Sequence, residues 1–193
     1  MDLGKLKSDI QQGTGISALK IVRESLLIEN ASDLPKIALF LKNDPQYRMD
    51  YLSSLTAADY LDFLENVYHL YSMEKKQGPV TLRLRMKREN PVCPSLVSVY
   101  RGAEYQERDN FDLFGIHYEG HPDLRRIMMW DGFEGFPMRK DYIQEDSETL
   151  EFQDIEWLDQ RGIKVPDAVR AKAEELKLAG KRAVSERRAE DKS

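Results

Sequence analysis

The chain has one cysteine, Cys93, among 193 residues. A lone thiol excludes an intrachain disulfide. It also excludes a four-cysteine iron–sulfur cluster or a cysteine-built zinc site held by this chain alone. Basic residues are not in excess: 29 Lys and Arg stand against 34 Asp and Glu, a net charge of −5. That balance argues against a nucleic-acid binder, which needs a cationic footprint. No apolar run approaches the ~20 residues that span a bilayer, and the opening Met-Asp-Leu-Gly-Lys lacks the apolar segment of a secretion signal. The expectation is a soluble cytoplasmic chain that other chains must hold if it works at a membrane. Enzyme signatures are missing as well. Gly132-Phe133-Glu134-Gly135 has neither the spacing of a phosphate-binding loop nor a strand before it, and there is no Gly-x-Ser-x-Gly elbow.

What is present suits one domain and an extension. Hydrophobic content is 41%, enough for a sizeable core. Leu3, Leu6 and Ile10 have helical spacing, with Gly13 and Gly15 as breakers. Residues 19–29 read as a strand or a tight pair of strands. Ser32 or Asp33 caps a helix whose buried face is Leu34, Ile37, Ala38 and Leu41, and Asn43-Asp44-Pro45 ends it. Residues 50–56 read as a strand. A hairpin follows, with 63–71 as its first arm and a charged turn over 74–79 that contains Gly78-Pro79. In the second arm Val80, Leu82, Leu84 and Met86 alternate with Thr81, Arg83, Arg85 and Lys87. The charged set reads first as a solvated sheet face and second as a partner surface. Pro91 and Pro94 stop the sheet, and Ser95 caps the next helical segment. The sum is an α+β domain over 1–142, a small antiparallel or mixed sheet with helices packed on one side.

Residues 143–193 read as an extended acidic strap and a charged terminal helix. The strap, 144–159, carries Leu150, Phe152, Ile155, Trp157 and Leu158, anchors that an acidic disordered tail lacks. It is expected in a groove on another protein, with folding back onto this domain as the alternative. The terminal segment has only a thin apolar stripe, Val169, Ala173, Leu176 and Ala183.

The densest stretch runs from Glu104 to Tyr142. It opens as a helix ending at Gly115, where a residue tolerant of positive φ is wanted. A short extended piece and a turn at His121-Pro122-Asp123 come next. Arg125, Arg126, Met128, Met129, Trp130, Phe133 and Phe136 are then interleaved, and Arg139-Lys140-Asp141-Tyr142 closes the stretch. Arginine and large rings anchor protein interfaces. Either a neighbour covers this stretch or it covers itself, with Arg108, Arg125 and Arg126 pairing Glu107, Asp109 and Asp112. His117 and His121, four apart, make a metal site imaginable with Asp112 or Asp123. The plainer account has His121 as a turn residue bonding backbone and His117 at a strand edge. His69 reads as a packed sheet residue and Cys93 as structural. Glu107 and Asp112 with Arg108 resemble either an acid–base pair or ion pairs that hold a helix.

Glu107-Arg108, Asp112-Leu113-Phe114-Gly115-Ile116, Gly120-His121-Pro122-Asp123-Leu124-Arg125-Arg126-Ile127 and Gly135-Phe136-Pro137-Met138-Arg139-Lys140-Asp141-Tyr142 form a long ordered signature. It resembles that of the 30 kDa (C-type) subunit of proton-pumping NADH–quinone oxidoreductase, respiratory complex I. The resemblance extends from about Leu26 to Tyr142 and includes Leu55 to Tyr60 and Tyr68 to Ser72. Asp109, Phe136 and Met138 depart from the usual Glu, His and Leu. It implies a structural subunit of the hydrophilic arm, on the cytoplasmic side, with no active site or cofactor of its own. FMN and iron–sulfur clusters are then expected in partner subunits. The implied partners are the 49 kDa (D-type) subunit and, nearby, the B-type and I-type subunits. The implied contact residues lie in the signature: Glu107, Arg108, Asp112, Gly115, His121, Pro122, Arg125, Arg126, Pro137, Arg139, Lys140, Asp141 and Tyr142. Charge reversal at Arg125 or Arg139 is expected to disrupt assembly while the domain stays folded. Rival readings are the equivalent subunit of a membrane-bound hydrogenase or ferredoxin-linked relative, and a stand-alone metal-dependent enzyme using His117 and His121.

Overall fold

Asp2 starts the first helix by accepting the Gly4 N–H at 2.9 Å, and α1 runs Leu3–Thr14 with Leu6 and Ile10 buried. Gly15, at φ +74°, closes it. Gly13 does not break the helix as expected. It lies inside the last turn because the Phe40 ring sits on it, and a Cβ there would come within 2.1 Å of the ring. The computed structural model describes residues 2–130 and 132–142, and beyond them the single positions Ile155, Asp159, Gly162, Asp167, Arg170, Ala171 and Glu174. By contacts the chain divides into two units, Met1–Tyr142 and Ile143–Ser193. The expected strap over 144–159 and terminal helix over 167–193 lie outside the described residues, those single positions apart.

The apolar runs LKIV and LLIE form a hairpin, β1 (Leu19–Val22) and β2 (Ser25–Ile28). A 3-10 turn, Ala31–Asp33, leads into α2 (Leu34–Asn43), which buries the four residues its period selects. Asp33 stands at the cap position but makes no side-chain cap bond. β3 (Tyr51–Asp59), β4 (Phe63–Ser72) and β5 (Gln77–Lys87) complete a mixed sheet in the order β1-β2-β5-β4-β3. Only β2 and β5 are parallel. The turn between β4 and β5 is 73–76, so Gly78-Pro79 falls inside β5, not in the turn. Proline is tolerated there because the β4 register skips between Leu70 and Ser72, and β2 does not pair until Leu82.

Pro91 and Pro94 do end the main sheet, but Pro94 belongs to another one. β6 (Val92–Pro94) pairs in parallel with β7 (His117–Glu119). Between them, α3 (Ala103–Phe114) starts after Gly102, well past Ser95, the residue expected to cap it. Residues of α1, α2 and α3 share one core cluster with Leu64, Tyr68, Leu70, Val80, Leu82 and Leu84. The opposite alternation of β4 and β5 contributes nothing to that cluster. This is the expected α+β arrangement, with the helices on one side of the sheet.

A polar chain crosses the core. The Cys93 thiol lies 3.2 Å from the Tyr68 hydroxyl, and Asn66 Nδ2 donates to Tyr68 at 3.2 Å and to Tyr118 at 2.9 Å. Asn110 Nδ2 donates to Tyr118 from the helix at 3.1 Å. These contacts tie β4, β6, β7 and α3 together. Burial pushes the Cys93 thiol up to about 12. Cys93 should therefore resist a thiol reagent at about pH 8 in the native protein and react fully in urea. Native-state modification at the rate of a free thiol would show that β6 does not seal it.

Candidate functional site

The stretch after β7 has no ladder to satisfy its backbone, and the side chains of α3 supply what is missing. Asp112 is 0% exposed. Its Oδ2 accepts the N–H groups of Ile127, Met128 and Met129 at 2.9, 2.6 and 2.9 Å. Its Oδ1 accepts from Arg126 Nη1 at 3.2 Å, and Arg126 Nη2 donates on to the Gly135 carbonyl at 3.1 Å. The Arg126 guanidinium also lies 5.7 and 5.6 Å from the ring centres of Phe133 and Phe136. A buried carboxylate with four donors on it is a strong fixed point, because each bond is charge-assisted.

The far end of the loop is held by the end of α3 and by Asp59. Met138 N–H donates to the Leu113 carbonyl at 3.1 Å and Arg139 Nε to the Phe114 carbonyl at 2.7 Å, closing the open C-terminus of the helix. Arg139 also stacks over Phe136 at 4.7 Å. Gly115, at φ +71°, lies under that same Phe136 ring, which would meet a Cβ at 2.4 Å. Asp59 accepts the Lys140 and Leu61 N–H groups, each at 2.8 Å, and pairs with Arg88, which bridges to Asp141 at 2.5 Å. Burial alone would raise the Asp59 pKa. The hydrogen bonds and charge of Arg88 and the two backbone donors outweigh it and lower the pKa. Phe133 packs edge-on to Trp130 at 4.8 Å and stacks on Tyr142 at 5.9 Å.

With its backbone fixed inward, the loop turns apolar side chains outward. Met128 is 62% exposed, Trp130 50% and Met138 56%, and Ile127 and Tyr105 are exposed beside them. The predicted residues therefore separate into two groups. Asp112, Gly115, Arg126, Arg139 and Tyr142 build the loop, with Pro137 half-buried in it and Lys140 and Asp141 tied to Asp59 and Arg88. Arg125 is exposed and paired with Asp123 at 2.9 Å, and Pro122 is exposed. Arg139 supports the fold, so its reversal is expected to damage the isolated domain, contrary to the sequence-based expectation.

Three other assignments change. Among the described residues Glu107 pairs with no arginine. It is buried, accepting the Ser95 hydroxyl at 2.6 Å and the Leu96 N–H at 2.7 Å, and burial raises its pKa. Arg108, also buried, donates to the Arg125 carbonyl at 3.2 Å and lies 5.7 Å from the Tyr105 ring. Asp109 makes no salt bridge among the described residues, and burial followed by the neighbouring Asp112 charge raises its pKa. His121 has both ring nitrogens engaged, with the Glu104 carbonyl and the Asp123 N–H, while His117 is exposed on β7. Among the described residues no three metal-capable side chains converge. Asp59, Arg88 and Asn66 carry much of this organisation and did not stand out in the sequence.

A family profile for the respiratory-chain NADH dehydrogenase 30 Kd subunit matches residues 28–148. A C-type subunit of NADH-quinone oxidoreductase from Rhizobium meliloti (strain 1021), the one numbered 2 in that organism, is 46% identical over 106 residues, covering 53% of this chain and 57% of that protein. The chain thus spans little more than half the length of that curated relative. The C-type subunit of NADH-quinone oxidoreductase from Rhodobacter capsulatus is 35% identical over 161 residues, covering 80% of this chain and 78% of that protein. Among solved structures, a chain of the membrane-bound sulfane sulfur reductase, an archaeal respiratory membrane complex, is similar in fold. Its TM-score is 0.59 at 20% identity, covering 86% of this chain and 94% of that chain.

Asp112→Ala should cost about 3 kcal/mol or more, since it strands Arg126 and three N–H groups. Urea unfolding measures the loss, and faster tryptic cleavage at Arg125 and Arg126 reports the released loop; an unchanged cleavage rate would mean that something else holds the backbone. Glu107 gives a pH signature of known sign. Its folded-state pKa is raised, so its ionisation costs stability as pH rises from the ordinary carboxylate range through the folded value. Glu107→Gln cannot ionise, so relative to the unsubstituted chain it should gain stability as pH rises above the ordinary carboxylate range. A relative loss over that rise would contradict the burial argument.

Proposed function

The chain belongs to the family of the respiratory-chain NADH dehydrogenase 30 Kd subunit, and from that premise we propose that it is a non-catalytic structural subunit of the peripheral arm of NADH–quinone oxidoreductase. In this reading it supports electron transfer from NADH to quinone, coupled to proton translocation, by holding the redox-active subunits in register. FMN and iron–sulfur clusters sit in neighbouring chains. The partners are other peripheral-arm subunits, chiefly the 49 kDa (D-type) one, with the B-type and I-type subunits nearby, on the cytoplasmic side of the membrane.

The observation that carries the reading is the loop surface. Met128, Trp130 and Met138 are each at least half exposed on a backbone fixed by buried charge. Exposed rings and methionines on a rigid, polar-anchored frame suit a permanent partner, and in a lone chain they are a liability. Preorganisation lowers the ordering cost of association. No helix among the described residues is long and apolar enough to cross a membrane, which suits attachment through other subunits.

Arg125→Glu should leave the stability of the isolated chain in urea within about 0.5 kcal/mol of the parent, and the double variant Met128→Glu with Trp130→Ala should cost it no more than the edge-on contact with Phe133, about 1 kcal/mol, because these side chains are at least half exposed. Expressed in place of the parent chain, the double variant should fail to co-purify NADH–quinone oxidoreductase subunits from membranes. Arg139→Glu is the contrasting case and should lower the stability of the isolated chain itself. Full assembly with the double variant would remove the loop from the interface.

A further inference from the structure

The outer face of the five-stranded sheet is separate from the loop surface and shares none of its residues. The register sets Phe63 opposite Lys87, Glu65 opposite Arg85 and Val67 opposite Arg83. The Glu65 side chain is 1% exposed although α1, α2 and α3 all pack on the other face. Two arginines cover it: Arg83 Nη1 lies 2.6 Å from one carboxylate oxygen and Arg85 Nε 2.9 Å from the other.

Each guanidinium has a second fixed point. Arg83 Nε donates to the Ser25 hydroxyl at 2.9 Å. The Arg85 guanidinium lies 4.7 Å from the Phe63 ring centre, and Phe63 stacks on Tyr60 at 4.9 Å. Two guanidiniums share one carboxylate, and exposed Lys87 follows on the same strand. Two arginines thus meet one buried acid and Lys87 adds a third positive charge on the same strand, in a chain whose net charge is −5. Beside Arg83 a cleft of about 470 Å³ opens between the β1–β2 turn and the strand pair, lined also by Arg23, Glu24, Ser25, His69 and Thr81.

We propose that this face docks an extended, acidic segment of a partner protein, whose carboxylates meet the exposed Arg85 guanidinium and Lys87 while its apolar side chains lie against Phe63 and Tyr60. The planar guanidinium fork matches a carboxylate, and Glu65 has already fixed both forks, so little side-chain freedom is lost on binding. The charge excess is local and the surface is flat and partly aromatic, which fits an acidic polypeptide. An anionic membrane or a nucleic acid calls for a wider cationic stripe than three residues.

The test uses the full chain and a fluorescein-labelled peptide of alternating Glu and Val, read by anisotropy at low salt. A peptide with Gln in place of Glu is the control. Saturable binding of the Glu peptide and none of the Gln peptide is expected. Lys87→Glu and Arg85→Gln should each weaken binding by about tenfold. Lys87 is exposed on its strand, so Lys87→Glu should keep the parental thermal midpoint, which separates lost binding from lost fold. Arg125→Glu, on the loop surface, should bind as the parent does. No saturation up to about 1 mM peptide would overturn the proposal. So would parental affinity in both Lys87→Glu and Arg85→Gln, or tighter binding to phosphatidylserine vesicles or oligothymidylate than to the Glu peptide.

Discussion

A buried carboxylate held by four donors is the constraint on which the irregular half of this domain depends. Asp112 faces in from α3 and takes three consecutive backbone N–H groups and one guanidinium. Burying a bare carboxylate is prohibitive; burying one saturated by charge-assisted bonds is tolerable, and it then fixes everything bonded to it. The loop has no strand partner and no helical period. Its backbone could not be satisfied near the core without such an acceptor. Because that demand is met from below, the side chains of Met128 and Trp130 are left to point away.

The same device recurs twice with different chemistry. Glu107, one turn before Asp112 on α3, holds the Ser95–Leu96 corner through a hydroxyl and an N–H. Asp59, at the end of β3, holds Leu61, Lys140 and Arg88. The two titrate in opposite directions. Asp59 has a guanidinium and its pKa is lowered, whereas Glu107 has only neutral direct partners and burial raises it. Acidification therefore removes the Asp59 contribution and relieves the Glu107 penalty. A helix and a strand end thus use three acids to pin segments that no ladder reaches, and Arg139 turns the open end of α3 into a fourth attachment.

Periodicity made the regular elements legible. The stripe of α2 and the alternation of β5 need only local sequence, and both lie where their patterns put them. Local sequence puts Gly13 at a helix break and Gly78-Pro79 in a turn, whereas both are interior positions of α1 and β5. What decides them is a ring from α2 in one case and a skipped register in the other, neither of which is local. Glu107 next to Arg108 looked like an ion pair, but adjacent helix positions do not face each other, and each finds its partner in a different segment. Asn66 is a polar residue on the inward alternation between Leu64 and Tyr68, the local mark of a buried network. Asp59 gave no comparable signal, since its partners lie 29 and 81 positions away.

The loop and the outer sheet face look unlike, one apolar and irregular, the other flat and cationic, yet they are built on one principle. In each, a fully buried anion sits beneath the surface and fixes the groups that face outward: Asp112 under the methionine–tryptophan loop, Glu65 under the arginine pair. A side chain or loop ordered only by its partner loses its entropy at the moment of binding. One already ordered by an internal carboxylate has lost it during folding, when the whole cooperative structure shares the cost. Placing the acids inside also explains how a chain of net charge −5 shows a locally cationic strand pair. The negative charge that would neutralise the arginines is present, but it lies below them, buried at 1% exposure while the Arg85 side chain above it stays 46% exposed.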